Sequence, residues 1–310
     1  MEPSVRLATW QGEPAVELRA GALTATFLPN ASMLGVSFTH EGDELLAPIT
    51  PLARYRTGHT TGIPLLHPWA NRLGAWSYRA AGRRVEVPRD VPVDGNGLPI
   101  HGTVFGLPFD VTRIEATKAG AAILDARIDS SRHPRLFDAF PFPHTLDVRF
   151  ALNTDALAIT NTLRPTGTRG PSVPVSFGWH PYLRLPGAPR SQWRLRLPAR
   201  RHAQLDDRQL PTGVSAQEPA EDGPIAGRTL DDHYQLGRDR RFELVGGGRR
   251  LAVRFGPGYP FAQIWVPPGK DFAAIEPMTA TVNALVDGTA PLVRPGSSFR
   301  ATWQIGVDPA

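Results

Sequence analysis

Apolar residues recur with a period of two along much of this sequence, and Gly and Pro interrupt the pattern often. Every second residue is apolar over residues 146–152, where Asp147 and Arg149 lie between, and the same alternation covers residues 251–255 and 299–307. A period of two places successive side chains on opposite faces of a strand. With 30 Gly and 32 Pro among 310 residues, long helices are disfavoured. The pattern predicts an all-β sandwich or barrel of many short strands.

The period-two pattern and the positions of Gly and Pro divide the chain into short strands and loops, and they show no clear domain boundary. We predict one domain over residues 1–310, surface loops at residues 129–142 and 215–227, and a turn at Gly246-Gly247-Gly248. The shorter predicted strands are residues 5–9, 15–18, 23–28, 85–87, 122–126, 158–163, 173–177, 261–266 and 272–275.

Composition excludes several classes of protein. Hydrophobic residues at 41% and charged residues at 20% indicate a globular chain. No apolar run is long enough for a membrane span, and residues 1–6 do not resemble an export signal, so we expect a cytoplasmic protein. The absence of Cys excludes disulfides and thiol nucleophiles. The net charge of +5 comes from dispersed Arg residues, which favours solvated strand faces over a nucleic-acid surface.

Three titratable residues stand in settings that suit catalysis. His180 lies in Gly178-Trp179-His180-Pro181-Tyr182, after the apolar run 173–177, and Pro181 favours an extended backbone at His180. His101 lies in a Gly-rich segment, and Glu276 follows the apolar run 272–275. An acid and a base at separate strand ends form a general acid/base arrangement. No metal-ligand spacing or phosphate-binding loop is present, so neither a metal nor a cofactor is expected.

Five segments in order resemble the aldose 1-epimerase (galactose mutarotase-like) family, and two of them resemble a less characterised aldose-epimerase-like branch. The resemblance implies a large antiparallel β-sandwich, the galactose mutarotase-like supersandwich, with an open sugar-binding cleft. The segments are Pro68-Trp69-Ala70-Asn71-Arg72, Ile100-His101-Gly102, Gly178-Trp179-His180-Pro181-Tyr182, Leu230-Asp231-Asp232-His233-Tyr234 and Ile275-Glu276-Pro277-Met278-Thr279.

The resemblance also implies catalytic roles. Glu276 corresponds to the general base that removes the proton from the C1 hydroxyl of the sugar. His180 corresponds to the general acid that protonates the ring oxygen, and His101 to a second His that orients and polarises the sugar.

Four more residues correspond to the family's sugar-binding positions. Asn71 and Arg72 match an Asn-Arg pair that holds hydroxyls. Asp231 fits the family's spacing to a following aromatic residue better than Asp232 does, and Gln263 matches a polar contact. The role of His67, just upstream of the Asn-Arg pair, stays open.

These residue types suit mutarotation, in which one proton leaves O1, one reaches the ring oxygen, and the ring opens and closes again. We therefore predict an aldose 1-epimerase that interconverts α and β hexose anomers as a monomer or homodimer. Three alternatives stay open: an epimerase for an anionic hexose, a non-catalytic carbohydrate-binding protein and, least favoured, a nucleic-acid binder. Activity on neutral sugars separates the predicted hexose epimerase from an epimerase for an anionic hexose. Loss of turnover without loss of binding in Glu276→Gln separates an enzyme from a carbohydrate-binding protein.

Overall fold

The computed structural model describes residues 2–309, and this part of the chain is built almost entirely from strands. It contains 26 strands, three α-helices of four to six residues and three short 3₁₀ helices. Every pairing between named strands is antiparallel. The prediction of an antiparallel all-β fold is confirmed, whereas the prediction of one domain over residues 1–310 stays a prediction.

The elements are numbered in chain order. The first strands are β1 (Ser4–Trp10), β2 (Glu13–Ala20), β3 (Leu23–Leu28), β4 (Leu34–His40), β5 (Asp43–Glu44), β6 (Leu65–Leu66), β7 (Ser77–Ala80), β8 (Arg83–Glu86), β9 (Asp110–Ala116), β10 (Ala122–Asp129), β11 (His144–Leu152), β12 (Ala156–Pro165) and β13 (Val173–Pro174). The others are β14 (Gly178–Trp179), β15 (Tyr182–Leu183), β16 (Arg194–Leu197), β17 (Arg200–Leu205), β18 (Pro211–Glu218), β19 (Glu221–Pro224), β20 (Leu230–Leu236), β21 (Arg241–Gly246), β22 (Arg249–Phe255), β23 (Phe261–Val266), β24 (Ala273–Met278), β25 (Leu292–Val293) and β26 (Phe299–Pro309). The α-helices are α1 (Leu52–Tyr55), α2 (Pro134–Ala139) and α3 (Ala284–Asp287), and the 3₁₀ helices are Pro29–Ala31, Ser130–Arg132 and Arg190–Gln192.

Three larger sheets form the body of the fold. The nine-stranded sheet has the order β19-β16-β21-β22-β26-β12-β11-β10-β9. The eight-stranded sheet has the order β18-β17-β20-β23-β24-β14-β6, with β15 paired to β24. The five-stranded sheet runs β1-β2-β3-β4-β5, and two small sheets pair β13 with β25 and β7 with β8.

Alternating residues of the nine-stranded sheet face inward and form the core with the other two sheets. In β11 the burial alternates along the strand, as the sequence pattern predicted. Trp179 of the eight-stranded sheet packs against Phe150 and Trp303 of the nine-stranded sheet, with ring centroids 5.9 and 6.0 Å apart. Phe27 of the five-stranded sheet also packs on Phe150, at 4.0 Å between ring centroids.

A buried polar residue joins the two larger sheets at this packing centre. The Asn161 side-chain oxygen accepts hydrogen bonds from Trp179 Nε1 and from the Tyr259 hydroxyl, both at 2.9 Å. Asn161 is fully buried. Burial of these donors without an acceptor would cost free energy, so Asn161 fixes how the sheets pack together.

Two predicted loops are wrong in part. Residues 215–227 contain the end of β18 and all of β19, which are edge strands of the eight- and nine-stranded sheets. Most of their side chains are exposed, so the sequence carries no alternating apolar signal there. Residues 129–142 contain a 3₁₀ turn and α2, which is too short to show a helical period.

Two predicted strands near the candidate site also differ from the structure. Residues 173–177 are divided between β13 and a non-strand segment, because β14 begins only at Gly178. The predicted strand 272–275 is β24, which begins at Ala273 and continues to Met278. Glu276 therefore lies inside a strand and not at its end.

Candidate active site

A cavity of about 180 Å³ lies over the face of the eight-stranded sheet and gathers most of the residues that the sequence singled out. Asn71, Arg72, His101, His180, Asp231 and Glu276 line it, together with Thr60, Ile100, Tyr182 and Trp265. Gln263 does not line the cavity, but its side-chain amide contacts Asp231.

Strand register explains why residues so distant in sequence meet here. Glu276 on β24 lies directly opposite Gln263 on β23, and Asp231 on β20 lies directly opposite Trp265 on β23. Gln263 and Trp265 are two residues apart and share a face. The four side chains therefore project from one face of three adjacent strands.

His180 and Glu276 form a buried pair. His180 follows β14, which pairs with β24, and His180 Nε2 lies 3.2 Å from Glu276 Oε1. Burial raises the pKa of Glu276 well above its usual value, with a further rise from Asp231 and an opposing effect of Arg72. Burial lowers the pKa of His180 to about 3. Both shifts disfavour the charged forms, so the pair holds a single proton over a wide pH range.

Aromatic side chains fix the orientation of the His180 ring. Tyr182 stacks on it with ring centroids 4.6 Å apart and an interplanar angle of 16°. Trp265 meets it edge-on at 5.6 Å. The Tyr182 hydroxyl lies 2.5 Å from the Thr60 hydroxyl, which ties the stack to the segment after α1. The imidazole therefore has little freedom to turn away from Glu276.

His101 and Asn71 are held by a reciprocal backbone contact. Both have left-handed backbones, with φ of 64° and 58°. The His101 amide donates to the Asn71 carbonyl at 2.9 Å, and the Asn71 amide donates to His101 Nδ1 at 3.3 Å. Burial, with His180 and Arg72 nearby, lowers the pKa of His101 well below its usual value. Since a backbone amide only donates, Nδ1 is the acceptor and the neutral ring carries its proton on Nε2.

Carboxylates and an amide occupy every nitrogen of the Arg72 guanidinium. Nε donates to Asp94 at 2.7 Å, Nη2 to Asp231 at 3.3 Å and Nη1 to Asn71 Oδ1 at 3.1 Å. Gln263 Nε2 donates to the other Asp231 oxygen at 2.7 Å. Arg72 and Gln263 therefore set the position of the Asp231 carboxylate from two sides.

The two adjacent aspartates occupy different environments. Asp231 lines the cavity beside Glu276, whereas Asp232 does not line it. Asp232 accepts a hydrogen bond from the Tyr234 hydroxyl at 3.2 Å and lies 3.4 Å from His202 Nε2. Because side chains alternate between the two faces of β20, these two point to opposite faces, and only Asp231 lines the cavity.

Sequence reasoning missed two lining residues, Thr60 and Trp265. Trp265 could have been found, because it lies two residues after Gln263 in a predicted strand and so shares its face. No sequence signal around Thr60 identifies it as a lining residue, and its contact with the Tyr182 hydroxyl becomes visible only in the structure.

Several other residues considered from the sequence are buried away from the cavity. His67 Nε2 lies 2.9 Å from His144 Nε2, and burial lowers the pKa of both rings. The His67 carbonyl accepts the amides of Thr103 and Val104, which supports the loop that carries His101. Trp69 and Trp179 are fully buried in the core.

Residues 2–309 contain no group of three or more His, Cys, Asp or Glu side chains arranged to hold a metal ion. Over the same residues, no helix has the length and apolar character needed to cross a membrane.

Comparisons with solved structures show the fold. A galactose mutarotase-like protein from Clostridium acetobutylicum superposes with a TM-score of 0.87 at 17% identity, covering 100% of this chain and 99% of the other. Galactose 1-epimerase from Lactobacillus acidophilus gives 0.76 at 13% identity, with 99% of each chain covered. The GalM/aldose epimerase homologue from C. elegans gives 0.74 at 15% identity, also with 99% of each chain covered. The predicted galactose mutarotase-like fold is confirmed.

At the level of sequence, no curated protein matches this chain. The sequence pattern of one family, described as aldose 1-epimerase, matches residues 17–306. That match spans nearly the whole chain and includes every residue of the cavity, and the chain therefore belongs to the aldose 1-epimerase family.

Proposed function

We propose that this protein is an aldose 1-epimerase that interconverts the α and β anomers of a neutral hexose. The observation that carries the proposal is the buried His180–Glu276 pair at 3.2 Å, which holds a basic and an acidic group at one end of a sugar-sized cavity. Mutarotation needs one group to accept a proton and another to donate one at neighbouring oxygens of the same sugar.

In the proposed reaction the pair acts with Glu276 as carboxylate and His180 as imidazolium. Glu276 takes the proton from O1 while His180 Nε2 delivers its proton to the ring oxygen, and the C1–ring oxygen bond breaks to give the open-chain aldehyde. Rotation about C1–C2 presents the other face of the carbonyl. Ring closure returns the proton from Glu276 to O1 and the ring hydroxyl proton to His180. Atoms and charges balance, and no covalent intermediate is needed.

Burial of the pair disfavours these charged forms, so the bound sugar must stabilise them. The carboxylate oxygen Oε2 of Glu276 is buried and has no hydrogen-bond partner among residues 2–309. A buried acceptor of this kind is costly unless a ligand completes it. The O1 hydroxyl of a bound sugar would supply the missing donor and stabilise the ionised form of Glu276 at the moment it acts as base.

Neighbouring residues would hold the sugar in place. His101 presents its Nε2–H as a donor that suits the ring oxygen or an adjacent hydroxyl, as its tautomer requires. The Asp231 carboxylate, fixed by Arg72 and Gln263, is an acceptor for hydroxyls farther from C1. Trp265 and Tyr182 offer aromatic surface for the apolar face of a pyranose.

Local charge favours a neutral substrate over an anionic one. Among the described residues, Arg72 is the only Arg or Lys that lines the cavity, and Asp94, Asp231 and Asn71 already engage its guanidinium. A phosphate or sulfonate would meet Asp231 and Glu276 without a free cation to balance it.

Polarimetry tests the proposal directly. Fresh α-D-glucose and α-D-galactose are followed at neutral pH with the wild type, Glu276→Gln and His180→Asn, and with Glu115→Gln on exposed β9 as the matched control. We expect the wild type and Glu115→Gln to accelerate equilibration equally, and each site variant to lose about 10²–10⁴ in kcat.

Calorimetric titration of the same sugars separates an enzyme from a binding protein. For an epimerase, Glu276→Gln retains sugar binding while it loses turnover. Sugar binding by a wild type that accelerates no sugar would instead favour the non-catalytic carbohydrate-binding alternative. Acceleration confined to hexose 6-phosphates or sulfonated hexoses would contradict the argument from local charge.

A further inference from the structure

His233 is a buried histidine on the cavity face of the eight-stranded sheet, and the proposed reaction does not use it. It lies on β20 two residues after Asp231, so the two side chains share a face, and it is directly opposite Gln263 on β23. His233 is 1% exposed and does not line the cavity. Buried polar side chains normally have hydrogen-bond partners, so the neighbours of this ring indicate what it does.

The orientation of the Gln263 amide matters to the candidate site. Its Nε2 donates to Asp231 Oδ1 at 2.7 Å and, together with Arg72, fixes the carboxylate. Since a carboxylate only accepts, an amide turned the other way would place Oε1 against Asp231 and replace attraction with repulsion. Oε1 itself is buried and has no hydrogen-bond partner among residues 2–309. The group that donates to Oε1 therefore determines which way the amide faces.

Two residues lie directly opposite Gln263 on the neighbouring strands, His233 on β20 and Glu276 on β24. In the proposed reaction Glu276 acts as a carboxylate, which cannot donate to Oε1. His233 Nδ1 is buried and, like Gln263 Oε1, lacks a partner within the described part of the chain. Two such groups on facing residues are costly to bury unless they meet, and a protonated ring nitrogen can donate to an amide oxygen.

The surroundings of the ring permit this tautomer. His233 Nε2 lies 3.0 Å from the Thr281 hydroxyl, which can donate to it. Burial lowers the pKa of His233 to about 4 against the raising effect of the Gln263 side chain, and His202 lowers it further. The ring is therefore neutral at neutral pH and holds one proton. Phe261 stacks on it, with ring centroids 5.6 Å apart and an interplanar angle of 18°, which restricts the plane of the imidazole.

We infer that His233 is a positioning residue, which donates from Nδ1 to Gln263 Oε1 and so keeps Gln263 Nε2 directed at Asp231. Three hydrogen bonds then run in one direction, from Thr281 to His233, from His233 to Gln263 and from Gln263 to the carboxylate. Because Asp231 is the acceptor for hydroxyls far from C1, His233 affects the affinity for the sugar and not proton transfer at C1. The effect on turnover rests on the proposed epimerase function, whereas the tautomer and its dependence on Gln263 do not.

The tautomer can be measured without a sugar, by long-range proton–nitrogen correlation spectroscopy of the histidine rings at neutral pH. His233→Leu assigns the signals. We expect His233 to carry its proton on Nδ1, and we expect this preference to weaken in Gln263→Leu, which removes the acceptor. A wild-type His233 with its proton on Nε2, or an Nδ1 preference that Gln263→Leu leaves unchanged, would overturn the inference.

Polarimetry and calorimetric titration with glucose and galactose measure the effect on the sugar. His233→Leu should raise KM and Kd about three- to tenfold, the usual effect of one lost hydrogen bond, with kcat changed by less than about twofold. His233→Asn should restore much of the affinity, because the Asn amide can donate from near the position of Nδ1. Tyr259→Phe is the matched control: it removes another buried hydrogen bond, at a residue that does not line the cavity, and should lower the melting temperature without changing KM.

A double-mutant cycle separates positioning from general packing. If His233 acts through Gln263, the effect of His233→Leu on sugar affinity should largely disappear in a Gln263→Leu background. Additive effects of the two substitutions would contradict the inference. An equal loss of affinity in His233→Leu and His233→Asn would also contradict it, because only the first removes the donor.

The possible outcomes distinguish the positioning role from the proposed function. Turnover of glucose with a KM that is insensitive to His233→Leu overturns the positioning role and leaves the epimerase standing. Sugar affinity that depends on His233 through Gln263, without turnover of any sugar, supports the positioning role and overturns the epimerase. If no sugar binds, the epimerase is overturned and the tautomer decides alone: a proton on Nδ1 that depends on Gln263 supports the inference, and any other result refutes it.

Discussion

Replacement of Glu276 by Gln should change how the stability of the protein depends on pH, because the buried carboxyl holds a proton that the unfolded chain releases. Burial raises the pKa of Glu276 well above its ordinary value of 4.5 and lowers that of His180 from 6.5 to about 3. Between pH 4.5 and 6.5 the folded pair and the unfolded pair each hold one proton, so their contribution to stability is constant.

Above pH 6.5 the unfolded pair has lost both protons, while the folded pair keeps one until the raised pKa of Glu276 is reached. The folded state then binds more protons, so the stability of the wild type falls as pH rises, by about 1.4 kcal/mol for each pH unit. The folded pair binds one proton whether that proton is on His180 Nε2 or on Glu276 Oε1, so the predicted slope is the same in both cases.

The Gln variant has no such proton. Its neutral His180 makes stability rise with pH up to 6.5 and stay constant above it. The stability of the wild type minus that of Glu276→Gln should therefore fall as pH rises, by about 1.4 kcal/mol for each pH unit, until the raised pKa of Glu276 is reached. This is the behaviour of a carboxyl whose raised pKa stabilises the fold only while it is protonated.

Urea unfolding at pH 5.5, 6.5 and 7.5 measures this difference, with Glu115→Gln as a control whose stability should parallel the wild type. A constant difference between wild type and Glu276→Gln over this range would refute the reasoning. It would mean that Glu276 is ionised in the folded protein below pH 5.5, with Arg72 outweighing burial.

Two further substitutions test contacts that support the site. Asn161→Leu removes the shared acceptor of Trp179 and Tyr259. It should destabilise the fold by about 1–3 kcal/mol for each buried donor left unpaired, as measured by urea unfolding. A loss of stability under about 1 kcal/mol would mean that water replaces the amide. Gly102→Ala would place a Cβ 2.3 Å from the His67 carbonyl oxygen at a φ of +76°. It should lower both the melting temperature and kcat/KM, and a wild-type melting temperature would show that this loop can shift without cost.

Strand positions were predictable from sequence wherever one face of the strand is buried. The alternation over residues 146–152 predicted which face of β11 is buried. The predicted strands 23–28 and 261–266 coincide with β3 and β23. Strands β18 and β19 escaped prediction because edge strands with mostly exposed side chains carry no such alternation. Their pairing depends on neighbours far away in the sequence, which local patterns do not reveal.

The candidate site was also predictable only in part. The segments around His101, His180 and Glu276 could be selected from the sequence, because catalytic residue types stood out in apolar or Gly-rich settings. Their side-chain contacts could not be predicted, since they depend on the order of strands in the sheet. Nothing in the sequence indicates that Asp94 binds Arg72, so the sequence alone could not show that carboxylates already contact the guanidinium.

The left-handed backbones of Asn71 and His101 have a consequence for the thermodynamics of ligand binding. Each costs on the order of 1–3 kcal/mol relative to a relaxed conformation, and the surrounding fold must supply that energy when the chain folds. Their reciprocal hydrogen bonds then keep the imidazole and the Asn-Arg segment in place before any sugar arrives. A preorganised site loses little conformational entropy when it is filled. The strain thus lowers the stability of the empty protein. Ligand binding then requires little further ordering of these residues, so little affinity is lost to conformational entropy.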